Sequence, residues 1–107
     1  DETRGMIDAD ALDALGGGVL VNIARGEDVD EDTLVEALDT GELRGAALDV
    51  FAEEPLPEDS PLWDFENVLL TPHVAGTTPH YWERAADQFA GNYRRYVAGE
   101  ELANRHL

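Results

Sequence analysis

Three short apolar runs, set apart by helix-patterned and loop segments, constrain this chain more than any other feature. They are residues 19–24 (VLVNIA), 45–50 (GAALDV) and 68–70 (VLL). The first, apolar without alternation, predicts a strand buried on both faces. In the second, the small Gly45, Ala46 and Ala47 predict close packing of a helix on the sheet. Residues 8–15 (DADALDAL) predict a short helix, capped by Asp8 or Asp10 and halted by Gly16, Gly17 and Gly18. A second helix follows Arg25-Gly26. Asp30 is its expected N-cap, Leu34, Val35 and Leu38 its inner face, and Gly41 its stop.

Residues 52–66 carry three prolines and six acids, which predicts a loop. Thr78, with Pro79 at the first helical position, predicts a last helix of roughly 20 residues. Trp82, Ala85, Ala86, Phe89, Ala90, Tyr93 and Val97 give it one apolar face. Strands alternating with helices argue for a parallel α/β sheet with right-handed crossovers. Three strands fall short of a complete doubly wound domain. The opening residues, Asp1-Glu2-Thr3-Arg4-Gly5, also read as the middle of a loop with no preceding Met. The expectation is a piece of a larger protein.

Charge narrows the partners. Twelve Asp and twelve Glu face seven Arg and no Lys, for a net charge of −17 over 107 residues. Such a field repels phosphate backbones and anionic lipid, so neither nucleic acid nor a membrane surface is expected as a partner. The acids are interleaved with Leu, Val and Ala, and no run exceeds three (Asp30, Glu31, Asp32), unlike a disordered acidic tail. Carboxylates without Lys predict a surface suited to concentrated salt, where the Debye length falls to about 3 Å at 1 M. The absence of Cys excludes disulfides and thiolate metal sites, and fits a cytoplasmic protein. No metal site is expected.

Three residues stand where strands end. Arg25 follows the first run, Glu54 lies shortly after the second, and His73 follows the third. In an open parallel sheet the carboxyl ends of neighbouring strands face one crevice, and ligands bind there. Each residue also has an ordinary reading: a surface ion-pair partner, one acid among 24, a satisfied structural histidine. His80, near a helix start, and His106, near the chain end, have weaker claims. Together the trio suits one chemistry. A guanidinium fork holds a carboxylate and polarises the adjacent carbonyl. A histidine exchanges the hydroxyl proton, and a carboxylate on its other ring nitrogen fixes the tautomer and favours imidazolium. Hydride exchange with a nicotinamide completes a 2-hydroxy acid dehydrogenase.

Four stretches carry a family resemblance: TRGMI (3–7), VNIARGEDVDEDTLVEAL (21–38), GELRGAALDVFAEEPLPEDSPLW (41–63) and NVLLTPHVAGTT (67–78). They resemble the C-terminal part of the NAD-dependent D-isomer-specific 2-hydroxyacid dehydrogenases, in the family's order and spacing. The resemblance implies a partial Rossmann-like α/β sheet of about three parallel strands, with flanking helices and a long helix returning toward a substrate domain. Residues 1–107 are then expected to be the C-terminal half of a dinucleotide-binding domain plus that helix. The phosphate-binding half and the substrate domain would lie upstream.

The resemblance further implies that Arg25 binds the substrate carboxylate, His73 is the acid/base and Glu54 is its partner. Cofactor contacts are implied at Thr3, Ile23, Ala24, Arg25, Asp49, His73 and Gly76, with Asp49 near the nicotinamide carboxamide. The cofactor is NAD or NADP, the substrate a small 2-keto or 2-hydroxy acid, and the full-length protein a homodimer. The chain has no GxGxxG, so the isolated 107 residues are expected to be inactive. Two other readings stand beside this one. A relative could keep the fold and use nucleotide to control assembly without turnover. An independent acidic βα binding module is disfavoured by the ragged start.

Overall fold

The computed structural model describes residues 2–105, so His106 lies outside the described residues. The elements run α1 (Ala9–Ala14), β1 (Val19–Asn22), α2 (Glu31–Asp39), β2 (Gly45–Leu48), β3 (Val68–Leu70) and α3 (Tyr81–Ala98). They fall into two compact units, Asp1–Ala75 and Gly76–Leu107.

The first unit is built on a three-stranded, all-parallel sheet of order β1-β2-β3. Val19 pairs with Gly45 and Asn22 with Leu48, and Ala46 pairs with Val68. This common register brings all three strands to their carboxyl ends side by side. Asp8 caps α1 by accepting from the Ala11 N–H, and Asp30 caps α2 by accepting from Thr33. That bond holds the Asp30 carboxyl below its ordinary pKa. Leu34, Ala37 and Leu38 turn inward from α2 and pack with Leu12, Leu43 and Leu62 in the core. Ahead of α1, Ile7 bridges Val29, and the Gly5 and Ile7 amides donate to the Glu27 and Asp28 carbonyls. The segment before α1 is thereby tied to the turn that follows Arg25.

Four expectations need correction. β1 ends at Asn22 and is not buried on both faces, since Val19 and Val21 are exposed. It is an edge strand, and no described element covers that face. β2 is the central, largely buried strand. Gly45 is small because a Cβ there would stand 2.7 Å from the Asn67 carbonyl oxygen, so it makes room for backbone leading into β3 rather than for a helix. The loop after β2 contains a 3-10 turn, Pro61–Asp64, capped by Ser60.

The fourth correction concerns the last helix, in the second unit. It has 18 residues and starts at Tyr81, because Thr78 closes a turn of its own: its hydroxyl accepts from the His80 N–H and its carbonyl from Tyr81. Gly99, at φ 69°, ends it. The tail folds back where the Asn92 side chain both donates to the Ala103 carbonyl and accepts from its N–H. The apolar face is exposed, with Trp82 at 81% and Phe89 at 74%. No helix among the described residues is long and apolar enough to cross a membrane.

Candidate active site

At the end of β1, the buried Asn22 shapes the turn. Its amide donates to the Arg25 carbonyl at 2.9 Å, and its oxygen accepts from the Ala24 N–H at 3.0 Å. Arg25 leaves this turn extended and exposed, one guanidinium N–H resting on the Ala24 carbonyl. The next residue must be glycine. A Cβ on Gly26 would stand 1.9 Å from the Phe51 carbonyl carbon, so the turn after β1 lies directly on the turn after β2.

Beyond β2, Asp49 is 3% exposed and is held by the loop after β3. Its Oδ1 accepts from the Thr71 hydroxyl and the Val74 N–H, and Oδ2 from the Ala75 N–H. The Thr71 bond first, then the Val74 N–H, hold its carboxyl below the ordinary range. That carboxylate braces a strained residue: His73 has φ +54°, a left-handed conformation unusual for a side chain with a Cβ.

Glu54 joins the two ends. Its Oε2 meets His73 Nδ1 at 2.7 Å, and Oε1 accepts from the Phe51 N–H at 3.1 Å. The His73 bond, then the Phe51 bond, lower the Glu54 pKa. An ionised carboxylate only accepts, so Nδ1 carries the proton and Nε2 is left to face a ligand. The pair is part-exposed, with side chains at 51% and 35%.

Arg25, Glu54 and His73, separated by 29 and 19 residues, share one cavity of about 450 Å³ with Thr3 and Gly26. Behind the His73–Glu54 pair lies a second cavity of about 540 Å³, lined by Phe51, Leu56, Trp63, Leu70 and Pro72. Ile23 and Ala24 are exposed at the end of β1, and Gly76 is exposed at the start of the second unit. His80 sits at the start of α3, 3.5 Å from Glu83. Among the described residues, no group of three or more His, Asp or Glu side chains is placed to hold a metal ion.

The arrangement provides a cation for an anionic substrate beside a histidine whose tautomer is fixed. Sequence reasoning missed Asn22 and Gly26. A polar Asn inside an apolar run and a Gly directly after Arg were the available signals. It also missed the bracing by Asp49, which has no local signature because its partners lie 22–26 residues away.

Residues 1–75 match the NAD binding domain of the D-isomer specific 2-hydroxyacid dehydrogenases. A glyoxylate/hydroxypyruvate reductase A of Arabidopsis thaliana is 46% identical over 104 residues, which cover 95% of this chain and 33% of that protein. A D-isomer specific 2-hydroxyacid dehydrogenase of Xanthobacter autotrophicus Py2, solved with NADPH and MES, superimposes with a TM-score of 0.86 at 46% identity over 99% of this chain and 43% of its own. An NADPH-dependent glyoxylate/hydroxypyruvate reductase of Sinorhizobium meliloti, solved with NADP and sulfate, gives 0.82 at 34% identity over 95% and 34%. The chain thus spans about a third of the curated relative's length. With the match covering more than half of its residues, the chain belongs to the D-isomer specific 2-hydroxyacid dehydrogenase family, within its NAD binding domain.

Proposed function

We propose that residues 1–75 supply the acid–base and carboxylate-binding part of an enzyme that reduces a small 2-keto acid to a D-2-hydroxy acid. The observation that carries this is the 2.7 Å contact of His73 Nδ1 with Glu54, made on the cavity that Arg25 also lines. The relatives' names, glyoxylate and hydroxypyruvate reductases, support a compact substrate.

Arg25 grips the substrate carboxylate with its fork and polarises the adjacent carbonyl. As C2 is reduced, His73 gives the Nε2 proton to the carbonyl oxygen, which becomes the hydroxyl. Glu54 keeps the Nδ1–H bond throughout and steadies the charged ring before transfer. When bound, the nicotinamide dinucleotide supplies the hydride. Thr3, Ile23, Ala24, Arg25, Asp49, His73 and Gly76 are the residues proposed to hold its nicotinamide end. Exposed Ile23 and Ala24 beside the cavity suit a flat apolar ring. Asp49 has one lone-pair position left, on Oδ2, for a carboxamide N–H. Nothing in the chain supplies the glycine-rich phosphate loop. NAD and NADP both fit these residues. The NADPH and NADP of the solved neighbours make NADPH the first to test.

Kinetics of the full-length protein test the assignment. His73→Asn lowers turnover about 10²–10⁴-fold while leaving much of the keto-acid affinity. Arg25→Lys raises KM for the keto acid and also lowers turnover, with less effect on the cofactor. Near-parental kinetics in both variants would place the site elsewhere.

The same proposal includes a cytoplasmic, homodimeric protein, supported by the absence of Cys and by the family resemblance respectively. Gel filtration of the full-length protein tests the dimer. It also includes a salt-adapted surface, supported by −17 without Lys. A circular-dichroism melting midpoint that rises from 0.1 to 3 M KCl is the expected result, and a flat one removes salt adaptation.

A further inference from the structure

Two successive peptide units, Val50–Phe51 and Phe51–Ala52, link the parts of the site. The Phe51–Ala52 peptide lies against Gly26, so closely that the Cβ of any other residue would stand 1.9 Å from the Phe51 carbonyl carbon and 2.5 Å from the Ala52 nitrogen. Gly26 directly follows Arg25. The Phe51 N–H donates to Glu54 Oε1, whose other oxygen meets His73. The Ala52 N–H donates to Glu31 Oε2 at 3.1 Å, across 21 residues of sequence. Glu31 opens α2 and is half-buried, while the neighbouring Asp32 is exposed.

From these contacts we propose that Glu31 is a positioning residue for the site: by holding the Ala52 N–H it fixes the turn after β2, and with it the spacing between Arg25 and the Glu54–His73 pair. The proposal rests on the functional reading above. α2 is seated in the core through Leu34 and Leu38, so a carboxylate in its first turn is a rigid post. Without it, the turn after β2 is free to rock on Gly26. The Phe51 N–H then leaves Glu54 Oε1, and the carboxylate loses its aim at His73. Small displacements matter here, because a shift of about 1 Å can cost around a hundredfold in rate.

The test uses the full-length protein, with Asp32→Ala as a control that removes an acid from the same helical turn without touching Ala52. Glu31→Ala is expected to lower kcat about tenfold with a melting temperature equal to that of the control. The alkaline limb of its pH–rate profile should move to lower pH, because the Glu54 carboxylate no longer supports the charged His73 ring as well. Glu31→Gln, which keeps an acceptor for the Ala52 N–H, restores most of the turnover. Amide hydrogen exchange at Ala52 rises in Glu31→Ala alone. If Glu31→Ala matches Asp32→Ala in kcat, pH profile and Ala52 exchange, Glu31 is only part of a helix terminus and the proposal is overturned. A full-length protein in which His73→Asn keeps parental turnover would instead sink the functional reading. Ala52 exchange and an NMR titration of the His73 ring would then still decide whether Glu31 holds the turn.

Discussion

The turn after β1 and the loop after β3 line one cavity, yet they are held by opposite chemistry. Asn22 holds the first with a neutral side chain, one donor and one acceptor, and Arg25 sits there in relaxed extended backbone. Asp49 holds the second with a buried carboxylate, three accepted hydrogen bonds and a left-handed His73. The comparison teaches that the turn carrying Arg25 is held by a side chain that does not titrate. The loop carrying His73 is held on a support that does.

Among changes to what supports the loops, the largest expected effect comes from forcing apart the turns after β1 and β2. Gly26→Ala drives a Cβ into the Phe51–Ala52 peptide and separates Arg25 from Glu54. Turnover of the full-length protein should fall about a hundredfold, and KM for the keto acid should rise with it. Unchanged kinetics would mean that the two turns move independently.

Smaller effects separate the loops. Asp49→Asn keeps part of the acceptor set but cannot serve Thr71, Val74 and Ala75 together. It should lower kcat about tenfold with little change in KM. Asn22→Asp keeps the acceptor for Ala24 and loses the donor to the Arg25 carbonyl, so its loss should fall mainly on KM. The same split in both variants would erase the distinction between the loops.

The smallest effect is one of pH. The Asp49 and Glu54 carboxyls titrate lower in the folded protein than in the unfolded chain. Between those values the unfolded state binds more protons, so stability rises with pH there. Their contribution is present above the ordinary carboxylate range and is lost as pH falls through the lowered values. Protection factors at Val74 and Ala75, taken relative to the intrinsic exchange rate at each pH, should therefore fall on acidification before that at Ala24 does. An equal fall at all three amides would show that Asp49 gives the His73 loop no separate sensitivity.

Much of the architecture was legible because it rests on local signals. Asp8 and Asp30 are caps, Gly41 follows α2, and the β2 and β3 positions carry apolar runs. That Arg25, Glu54 and His73 line one cavity was legible because topology alone brings the carboxyl ends of parallel strands together. The exposure of β1 was not, since an apolar run records what a face is suited to meet and not which element covers it. The start of α3 was missed because Thr78 caps its own turn, and a Thr-Pro pair looks the same in either case. Asp49 and Glu31 were illegible as supports for a different reason. Apart from the Thr71 hydroxyl, their partners are backbone amides 21 or more residues away, and an amide has no letter in the sequence.

The uncovered face of α3 has a consequence for handling the 107 residues in solution. At −17, copies of the chain repel one another at low ionic strength, which keeps Trp82, Phe89, Tyr93 and Val97 dispersed. Added salt screens that repulsion within about one Debye length. The ions that let the carboxylates of the first unit stand close also let aromatic faces of separate copies meet. Compactness and colloidal stability then pull in opposite directions along one salt axis, so the isolated chain has a best ionic strength rather than a minimum one.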